Sequence, residues 1–346
     1  MKRLFPQMLG NESLCHRLGR EFGSGKHAHA YILAGEKGSG KHTLARLIAM
    51  AVSCENRGDP DGDLPCGTCR SCRKILSGNA PDLVTVSKPA DKATMGIEVI
   101  RDLRSGLHVL PNDTDVRVYV IEEAHLMTPA AQNAFLLTLE EPPSFVLFLL
   151  LTESADALLE TVRSRAPIFR MQPLSSQTIR EKLLADYPAA RTMLRDEPEN
   201  FEAMLLLSAG LLGRAIALLD AGERETLLAE RAEVVSLVRV LADGRDSARI
   251  LLTLRDIGVS RKRLLSGLLL LELALRDLLA LGQDENAVRI FYTEGESALE
   301  LSERFSAARL LYYLKEIGEA KQALSQNANT NLVLAKLTAR LSVYRG

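Results

Sequence analysis

The sequence contains no tryptophan, and aromatic residues make up only 5% of it. Modules that bind single-stranded nucleic acid by base stacking need exposed aromatic side chains, so this scarcity argues against such a module. The formal net charge of −1 also argues against a chain that its overall electric field draws onto DNA. A contact with DNA would require a local basic patch or partner subunits.

Long uncharged apolar runs are absent as well. The densest apolar stretch, residues 264–281, is interrupted by Glu272, Arg276 and Asp277, whereas a membrane-spanning helix needs about 20 predominantly apolar residues. The first residues, MKRLFPQMLGNESL, lack the apolar run of a secretory signal. We therefore expect a buried helix at 264–281, no contact with a membrane, and a cytoplasmic location.

Cysteine is rare outside one cluster, because four of the five cysteines lie within residues 54–72. Cys54, Cys66, Cys69 and Cys72 follow the spacing Cys-x11-Cys-x2-Cys-x2-Cys. Four thiolates form a closed ligand set for structural Zn²⁺, and the residues between them are polar and rich in turn formers. We expect a structural zinc ion, with an iron–sulfur cluster or unliganded thiols as alternatives. Cys15 is expected to be a small apolar residue of a helix.

The chain of 346 residues is longer than one hydrophobic core usually supports, so two or three domains are expected. In the first half, β-type runs at 30–34, 82–86, 116–121 and 146–151 alternate with helical patterns. This alternation predicts an α/β domain with a parallel sheet covered by helices on both faces. From about residue 174 the β-type runs disappear, and the spacing of apolar residues predicts helices only.

The segment GEKGSGKHT at residues 35–43 follows a β-type run and precedes a helical pattern. Its Gly-x4-Gly-Lys spacing, in that context, predicts a phosphate-binding loop. The glycines allow backbone N–H groups to surround phosphate, the helix N-terminus adds positive charge, and the lysine reaches the outer phosphates. The candidate nucleotide-binding residues of this segment are Gly35, Gly38, Gly40, Lys41 and Thr43.

The part of the motif that serves Mg²⁺ departs from the usual pattern. His42 stands where a Ser or Thr hydroxyl normally reaches the ion, and Thr43 lies one position later, about 100° further around the helix. The strand at 116–121 runs into Glu122, in place of the shorter Asp that supports the metal, and Glu123, in the place of the water-activating carboxylate. We expect phosphate binding to survive, Mg²⁺ placement to be impaired, and the catalytic role of Glu123 to be weak or vestigial. The alternative for both acids is a solvated strand end.

These features together resemble one family, the bacterial clamp-loader subunits of the replicative DNA polymerase, which include the gamma/tau and delta-prime subunits. A cysteine module just after the helix of a phosphate loop is unusual among nucleotide-binding domains. The other segments that carry the resemblance are FPQMLGN (5–11), HAY (29–31), LEEPP (139–143), SRA (164–166) and NANTNL (327–332). The resemblance covers nearly the whole chain, strongly to about residue 172.

The resemblance implies an AAA+ nucleotide-binding-like domain at 1–173 with a zinc module at about 54–72, a small helical lid domain at 174–222 and an all-helical collar at 223–346 that joins five subunits. It makes Thr152 the phosphate-sensing residue, and it makes Arg165 a trans-acting arginine for a neighbour's ATP site, with Ala166 replacing the family's Cys. The implied partners are gamma/tau and delta subunits, the sliding clamp, and primed DNA through the assembly.

Within the family, His42 and Glu122 favour the delta-prime type, whose nucleotide site is often eroded, over the motor type. The motor pattern also places a sensing arginine at the position of Gly213, where this chain has Arg214 one residue later. We predict a delta-prime-type subunit that helps to load the clamp and contains no polymerase site. Its own ATPase activity stays open, because Lys41 and Glu123 are retained.

Three alternatives remain. The chain could be a gamma/tau-type motor or a self-sufficient AAA+ ATPase, in which Thr43 or a water replaces the missing hydroxyl. It could also be a DNA-binding module that uses Arg101 and Arg104, three residues apart on one helix, although a solvated helical face explains these residues more simply. For Arg165, the alternative is a surface salt bridge.

Overall fold

The structure is a computed structural model that describes residues 4–23, 27–59, 61–244, 246–285, 287, 289–292, 297–325 and 328–343. The chain divides into two compact units. The N-terminal unit comprises Met1–Lys182 and Gly210–Arg214, and the C-terminal unit comprises Leu183–Ala209 and Ala215–Gly346. The division into three domains at 173 and 222 stays a prediction. Asn327, in the family segment 327–332, and residues 344–346, at the end of the predicted collar, lie outside the described residues.

A five-stranded parallel sheet forms the centre of the N-terminal unit, with the strand order β2-β3-β4-β1-β5. The strands are β1 (Ala30–Ala34), β2 (Leu83–Val86), β3 (Arg117–Ile121), β4 (Val146–Thr152) and β5 (Ile168–Arg170). The four strands that the β-type runs predict are confirmed. The sequence pattern does not predict β5, because three residues are too few to show a period.

Helices cover both faces of this sheet. Along β1, Tyr31 and Leu33 pack into one apolar cluster with α1, α2 and α3, whereas Ala30 and Ile32 pack into a second cluster with α4, α5 and α6. Because successive strand residues point to opposite faces, both sets must be apolar, which explains the uninterrupted apolar runs. The helices are α1 (Glu12–Gly23), α2 (Lys41–Val52), α3 (Arg70–Leu76), α4 (Ile97–Gly106), α5 (Pro129–Glu140) and α6 (Glu160–Arg163).

Local signals fix where the helices begin. Thr128 caps α5, since its side chain accepts a hydrogen bond from the backbone N–H of Ala131, and Pro129 occupies the first helical position, where its missing N–H costs nothing. Gly40 precedes α2 directly. The loop between β1 and α2 is therefore short, and it lies at the carboxyl end of the strand.

After β5 the described elements are all helical. They are α7 (Ser176–Asp186), α8 (Pro188–Asp196), α9 (Pro198–Leu207), α10 (Leu212–Ala217), α11 (Ala221–Asp243), α12 (Ser247–Ile257), α13 (Arg261–Leu281), α14 (Ala298–Glu303), α15 (Ala307–Ser325) and α16 (Thr330–Ser342). The helix predicted at 264–281 is confirmed as α13, in which Leu264, Leu271 and Leu278 are fully buried. Asp277 of this helix accepts hydrogen bonds from three consecutive backbone N–H groups, at residues 290–292. None of the helices in the described ranges has the length and apolar character needed to cross a bilayer.

Candidate nucleotide and metal sites

The glycine-rich loop connects β1 directly to α2. Gly38 and Gly40 have φ angles of +88° and +94°, a conformation that residues with a Cβ rarely adopt. The backbone N–H groups in the first turn of α2 lack acceptors within the helix, and they carry the partial positive charge of its N-terminus. The loop therefore has the backbone arrangement that binds phosphate.

Lys41 is folded against this loop, and it is only 7% exposed. Its Nζ donates hydrogen bonds to the carbonyl oxygens of Gly35 at 2.5 Å and Glu36 at 2.9 Å. Burial lowers the pKa of Lys41, and the nearby carboxylates of Glu153 and Glu36 oppose this shift. The ammonium group is thus held beside the loop by neutral acceptors that a phosphate group can replace.

The residues on the metal side of the loop pair with each other. Nδ1 of His42 lies 3.4 Å from Oε1 of Glu122, and the two side chains are 67% and 32% exposed. Mg²⁺ takes oxygen ligands in a near-octahedral arrangement. An imidazole in place of a hydroxyl, together with a carboxylate that already has a partner, does not fit this ion. Thr43 lies exposed in the first turn of α2.

Glu123 follows β3 in a left-handed conformation with φ +47°, a strained geometry for a residue other than glycine that often marks functional sites. A 3-10 turn at Ala124–Leu126 comes next. In this turn, Nδ1 of His125 lies 3.3 Å from the backbone N–H of Glu153 and accepts its hydrogen bond. Burial lowers the pKa of His125 and so favours the neutral ring that can accept. His125 connects the ends of β3 and β4. The sequence motifs do not predict this role, although the position of His125 two residues after the acidic pair is a usable signal.

Thr152 is the last residue of β4, and its side chain is fully buried. Its hydroxyl donates a hydrogen bond to the carbonyl oxygen of Ser154 at 2.7 Å, and its own carbonyl oxygen accepts from the N–H of Gly35 at 3.1 Å. The hydroxyl proton therefore has an acceptor in the chain. Donation to a phosphate would require the hydroxyl to give up this hydrogen bond.

The segment Gly210–Arg214 reaches the loop within the N-terminal unit. The backbone N–H of Gly213 donates to the carbonyl oxygen of Gly38 at 3.0 Å, and a Cβ added at Gly213 would lie 2.7 Å from the Cα of Gly38. The position that the motor pattern gives to a sensing arginine therefore has no room for a side chain.

Arg165 lies at the end of the sheet opposite to the loop. In the parallel register, Ala34 of β1 is level with Arg170, and Ile32 is level with Ile168, the first residue of β5. Arg165 precedes β5 and so lies at the amino ends of the strands, whereas the loop begins at their carboxyl ends. The structure brings the loop, the acidic pair and Thr152 to the carboxyl ends of the strands, and it places Arg165 at the opposite, amino ends.

The guanidinium of Arg165 is held by two contacts. Its Nη2 lies 2.7 Å from Oε1 of Glu140, and its Nη1 donates to the carbonyl oxygen of Thr161 at 3.0 Å. Nε2 of His29 lies 3.1 Å from the carbonyl oxygen of Leu139, which fixes the backbone beside Glu140. The Arg165 and Glu140 side chains are 37% and 47% exposed, so the pair orients the guanidinium and leaves it accessible. Such an exposed pair contributes little to stability.

The four clustered cysteines converge as their spacing predicts. The sulfur atoms of Cys54, Cys66, Cys69 and Cys72 lie within 4.8 Å of one another, and the Cys66 and Cys72 sulfurs are 4.0 Å apart. A tetrahedral zinc ion with Zn–S distances of about 2.3 Å places its ligands about 3.8 Å apart. The sulfur arrangement fits such an ion and leaves no position for a substrate.

Hydrogen bonds to sulfur support this ligand set. The backbone N–H of Cys69 donates to the sulfur of Cys66 at 3.3 Å, and the N–H of Cys72 donates to the sulfur of Cys69 at 3.4 Å. The hydrogen bond from Cys72 is the main cause that lowers the pKa of Cys54 to about 5. The same contact with Cys54 raises the pKa of Cys72, and burial raises the pKa of Cys69. Metal ligation requires four thiolates, so a bound cation would have to stabilise the charged form of these two cysteines.

A family model described as "DNA polymerase III, delta subunit" matches residues 10–175. The matched range contains the loop, the cysteines, the acidic pair, Thr152 and Arg165.

Two curated relatives are tau subunits of DNA polymerase III. The chain is 31% identical to that of Bacillus subtilis and 32% identical to that of Escherichia coli, in each case over 216 residues, or 62% of this chain. These alignments cover 37% and 32% of the relatives, so the chain spans about a third of their length.

A solved structure of a DNA polymerase III gamma subunit-related protein from Thermotoga maritima aligns with 94% of this chain and 98% of its own, at 17% identity and a TM-score of 0.37. The family model and the two curated relatives are all described as subunits of DNA polymerase III, so this chain is similar to subunits of that polymerase.

Proposed function

We propose that this chain is a delta-prime-type subunit of a cytoplasmic clamp loader, built on an AAA+ module. In this role it assembles with gamma/tau and delta subunits into a pentamer and helps to load the sliding clamp onto primed DNA. The observation that carries the proposal is the place of Arg165, which is oriented by Glu140 and lies at the edge of the sheet opposite its own loop.

An arginine in this place suits a neighbour's site better than its own. An arginine supplied in trans stabilises the charge that develops on a transferring γ-phosphoryl group. The Arg165 side chain is 37% exposed, and only Glu140 and the carbonyl oxygen of Thr161 hold its guanidinium among the described residues, so it can reach a ligand on an adjacent subunit. We assign Arg165 this trans-acting role.

The chain's own loop is assigned no hydrolysis. The pairing of His42 with Glu122 leaves Mg²⁺ without its usual ligands, and the packing of Gly213 on Gly38 leaves no place for the sensing arginine of the motor pattern. Glu123 retains the position of a water-activating carboxylate but lacks a metal-bound phosphate to act on. We therefore treat it as vestigial.

Two structural roles complete the proposal. The cysteine cluster holds Zn²⁺, which would tie the segment 54–72 to the end of α2 through Cys54 and to the start of α3 through Cys69. Because four thiolates close its coordination, the ion supplies stability and no chemistry. The helices α11–α16 serve as the oligomerisation collar.

A motor-type role is the second candidate, and the comparisons favour it in one respect, since both curated relatives described above are tau subunits. Lys41 is also retained. This role requires ATP hydrolysis at the chain's own loop, whereas the delta-prime role does not. ATP hydrolysis is therefore measured in a loader in which this chain is the only nucleotide-binding subunit. Hydrolysis there would support the motor-type role, and its absence would support the delta-prime role.

The proposal is tested by reconstitution. A loader assembled from gamma/tau and delta subunits is prepared with and without this chain, and clamp loading onto primed DNA is measured. We expect five-subunit assemblies and efficient loading only when the chain is present. Equal loading without the chain, or failure of the chain to co-elute with the other subunits, would exclude the proposed role.

A further inference from the structure

The disagreement between this loop and Mg²⁺ has a consequence for the ligand that the loop accepts. His42 and Glu122 occupy both positions that normally support the ion, and they lie 3.4 Å apart. A metal-bound nucleotide would have to separate this pair and would gain an imidazole where an oxygen ligand is needed. Mg²⁺ therefore brings no advantage to a nucleotide at this loop.

The phosphate side of the loop is independent of the metal side. The left-handed glycines Gly38 and Gly40 keep its shape, and the first turn of α2 offers N–H groups that have no helical acceptor. Lys41 is buried beside the loop and bonded only to the carbonyl oxygens of Gly35 and Glu36. A phosphate group is a stronger, charged acceptor for this ammonium group than a carbonyl oxygen is.

We infer that the loop binds nucleoside di- and triphosphates without a divalent cation. Lys41 and the N–H groups of the first turn of α2 bind the phosphates, and the His42–Glu122 pair excludes the ion. This inference rests on the proposed function, since it specifies the ligand of the same eroded site. It makes the nucleotide a resident, unhydrolysed ligand of the subunit.

Isothermal titration of the full chain with ADP and with ATP tests this inference. One buffer contains Mg²⁺, and the other has been freed of divalent ions with a chelating resin. A soluble chelator is avoided because it would compete with the cysteine cluster for its zinc ion. We expect dissociation constants that agree within about twofold, a difference of less than about 0.4 kcal/mol. Binding that is tighter by about tenfold or more with Mg²⁺ would overturn the inference, and so would the absence of binding in both buffers.

A pair of substitutions tests whether His42 and Glu122 make nucleotide binding insensitive to Mg²⁺. The double variant His42→Ser with Glu122→Asp restores the usual metal ligands at two partly exposed positions, and we expect its nucleotide binding to tighten by about tenfold or more on addition of Mg²⁺. Lys41→Ala should abolish binding in both buffers. Arg46→Ala, at an exposed position of α2, is the matched control and should bind as the wild type does. A double variant that stays insensitive to Mg²⁺ would show that the pair is not what excludes the ion.

These outcomes are separable from those of the proposed function. Clamp loading by the reconstituted assembly requires the presence of the chain and of Arg165, and it requires no ligand at this loop. A chain that supports loading but binds no nucleotide would refute the inference alone. A chain that binds nucleotide without metal but does not join the loader would refute the proposed function and leave the metal-free binding standing.

Discussion

The backbone N–H of Gly213 donates a hydrogen bond to the carbonyl oxygen of Gly38, at the phosphate loop, over 3.0 Å. The two glycines approach so closely that a Cβ on Gly213 would lie 2.7 Å from the Cα of Gly38. The position at which the motor pattern places a sensing arginine is therefore occupied here by a glycine whose backbone contacts the loop.

Replacing Gly213 by Ala should destabilise the chain by about 1–3 kcal/mol, the usual effect of an added methyl group in a packed site. Thermal unfolding followed by circular dichroism measures the change. Gly318→Ala is the matched control, because a Cβ at that helical position meets no atom within 4 Å, and it should be neutral or stabilising by about 0.5–1 kcal/mol. A Gly213→Ala variant as stable as Gly318→Ala would contradict the close packing.

The cysteine cluster predicts about one zinc ion per chain by elemental analysis, from four thiolate ligands. Cys66 is the least buried of the four, so Cys66→Ser removes a ligand with little effect on packing. We expect this variant to lose most of its zinc and its thermal midpoint to fall by roughly 5–10 °C, since 1 kcal/mol corresponds to about 2–4 °C in a domain of this size.

Cys15→Ala is the control for the zinc prediction. Cys15 is buried but lies outside the cluster, so its replacement should leave the zinc content unchanged. A wild-type chain that is fully folded and free of metal would refute the structural zinc site.

His125 predicts a loss of stability on acidification. Burial lowers its pKa in the folded chain, where Glu123 and Glu153 oppose the shift and Lys41 adds to it. The unfolded chain therefore binds the proton more readily, and stability falls as the pH drops below about 6.5 towards the folded-state pKa, by up to about 1.4 kcal/mol per pH unit.

His125→Gln keeps an acceptor for the N–H of Glu153 and removes the titration. Its free energy of unfolding should therefore depend less on pH in the range from about pH 6.5 down to the pH at which the chain is denatured by acid. Urea unfolding at several pH values measures the difference. Identical slopes for the variant and the wild type would refute the prediction.

Several parts of the fold follow from local sequence. The strands at 30–34 and 146–152 are apolar on both faces, and this gives an unbroken apolar run that the sequence displays directly. The four cysteines converge because two short spacings constrain three of them to one turn. The loop is recognisable because its glycines must adopt positive φ angles.

Other features depend on contacts between distant segments, which no local pattern encodes. The contact of Gly213 with Gly38 joins positions 175 residues apart, and those of His125 with Glu153 and Glu140 with Arg165 join positions 28 and 25 apart. The strand β5 is too short to show a period, and its pairing with β1 is what defines it. The opposite placement of Arg165 and the loop follows only from that pairing.

The central claim is that Arg165 acts on a neighbour's nucleotide, and DNA-stimulated ATP hydrolysis by the reconstituted loader tests it most directly. Arg165→Ala should lower ATP hydrolysis at the neighbouring site that it contacts by about 10³-fold or more. The total hydrolysis rate of the loader should therefore fall by the fraction that this site contributes. Arg163→Ala removes a nearby arginine that pairs with Asp156, and this control should retain most of the rate. Glu140→Ala removes the carboxylate that orients Arg165, so its rate should lie between those of the wild type and of Arg165→Ala. A loader with Arg165→Ala that hydrolyses ATP as fast as the wild type would contradict the account.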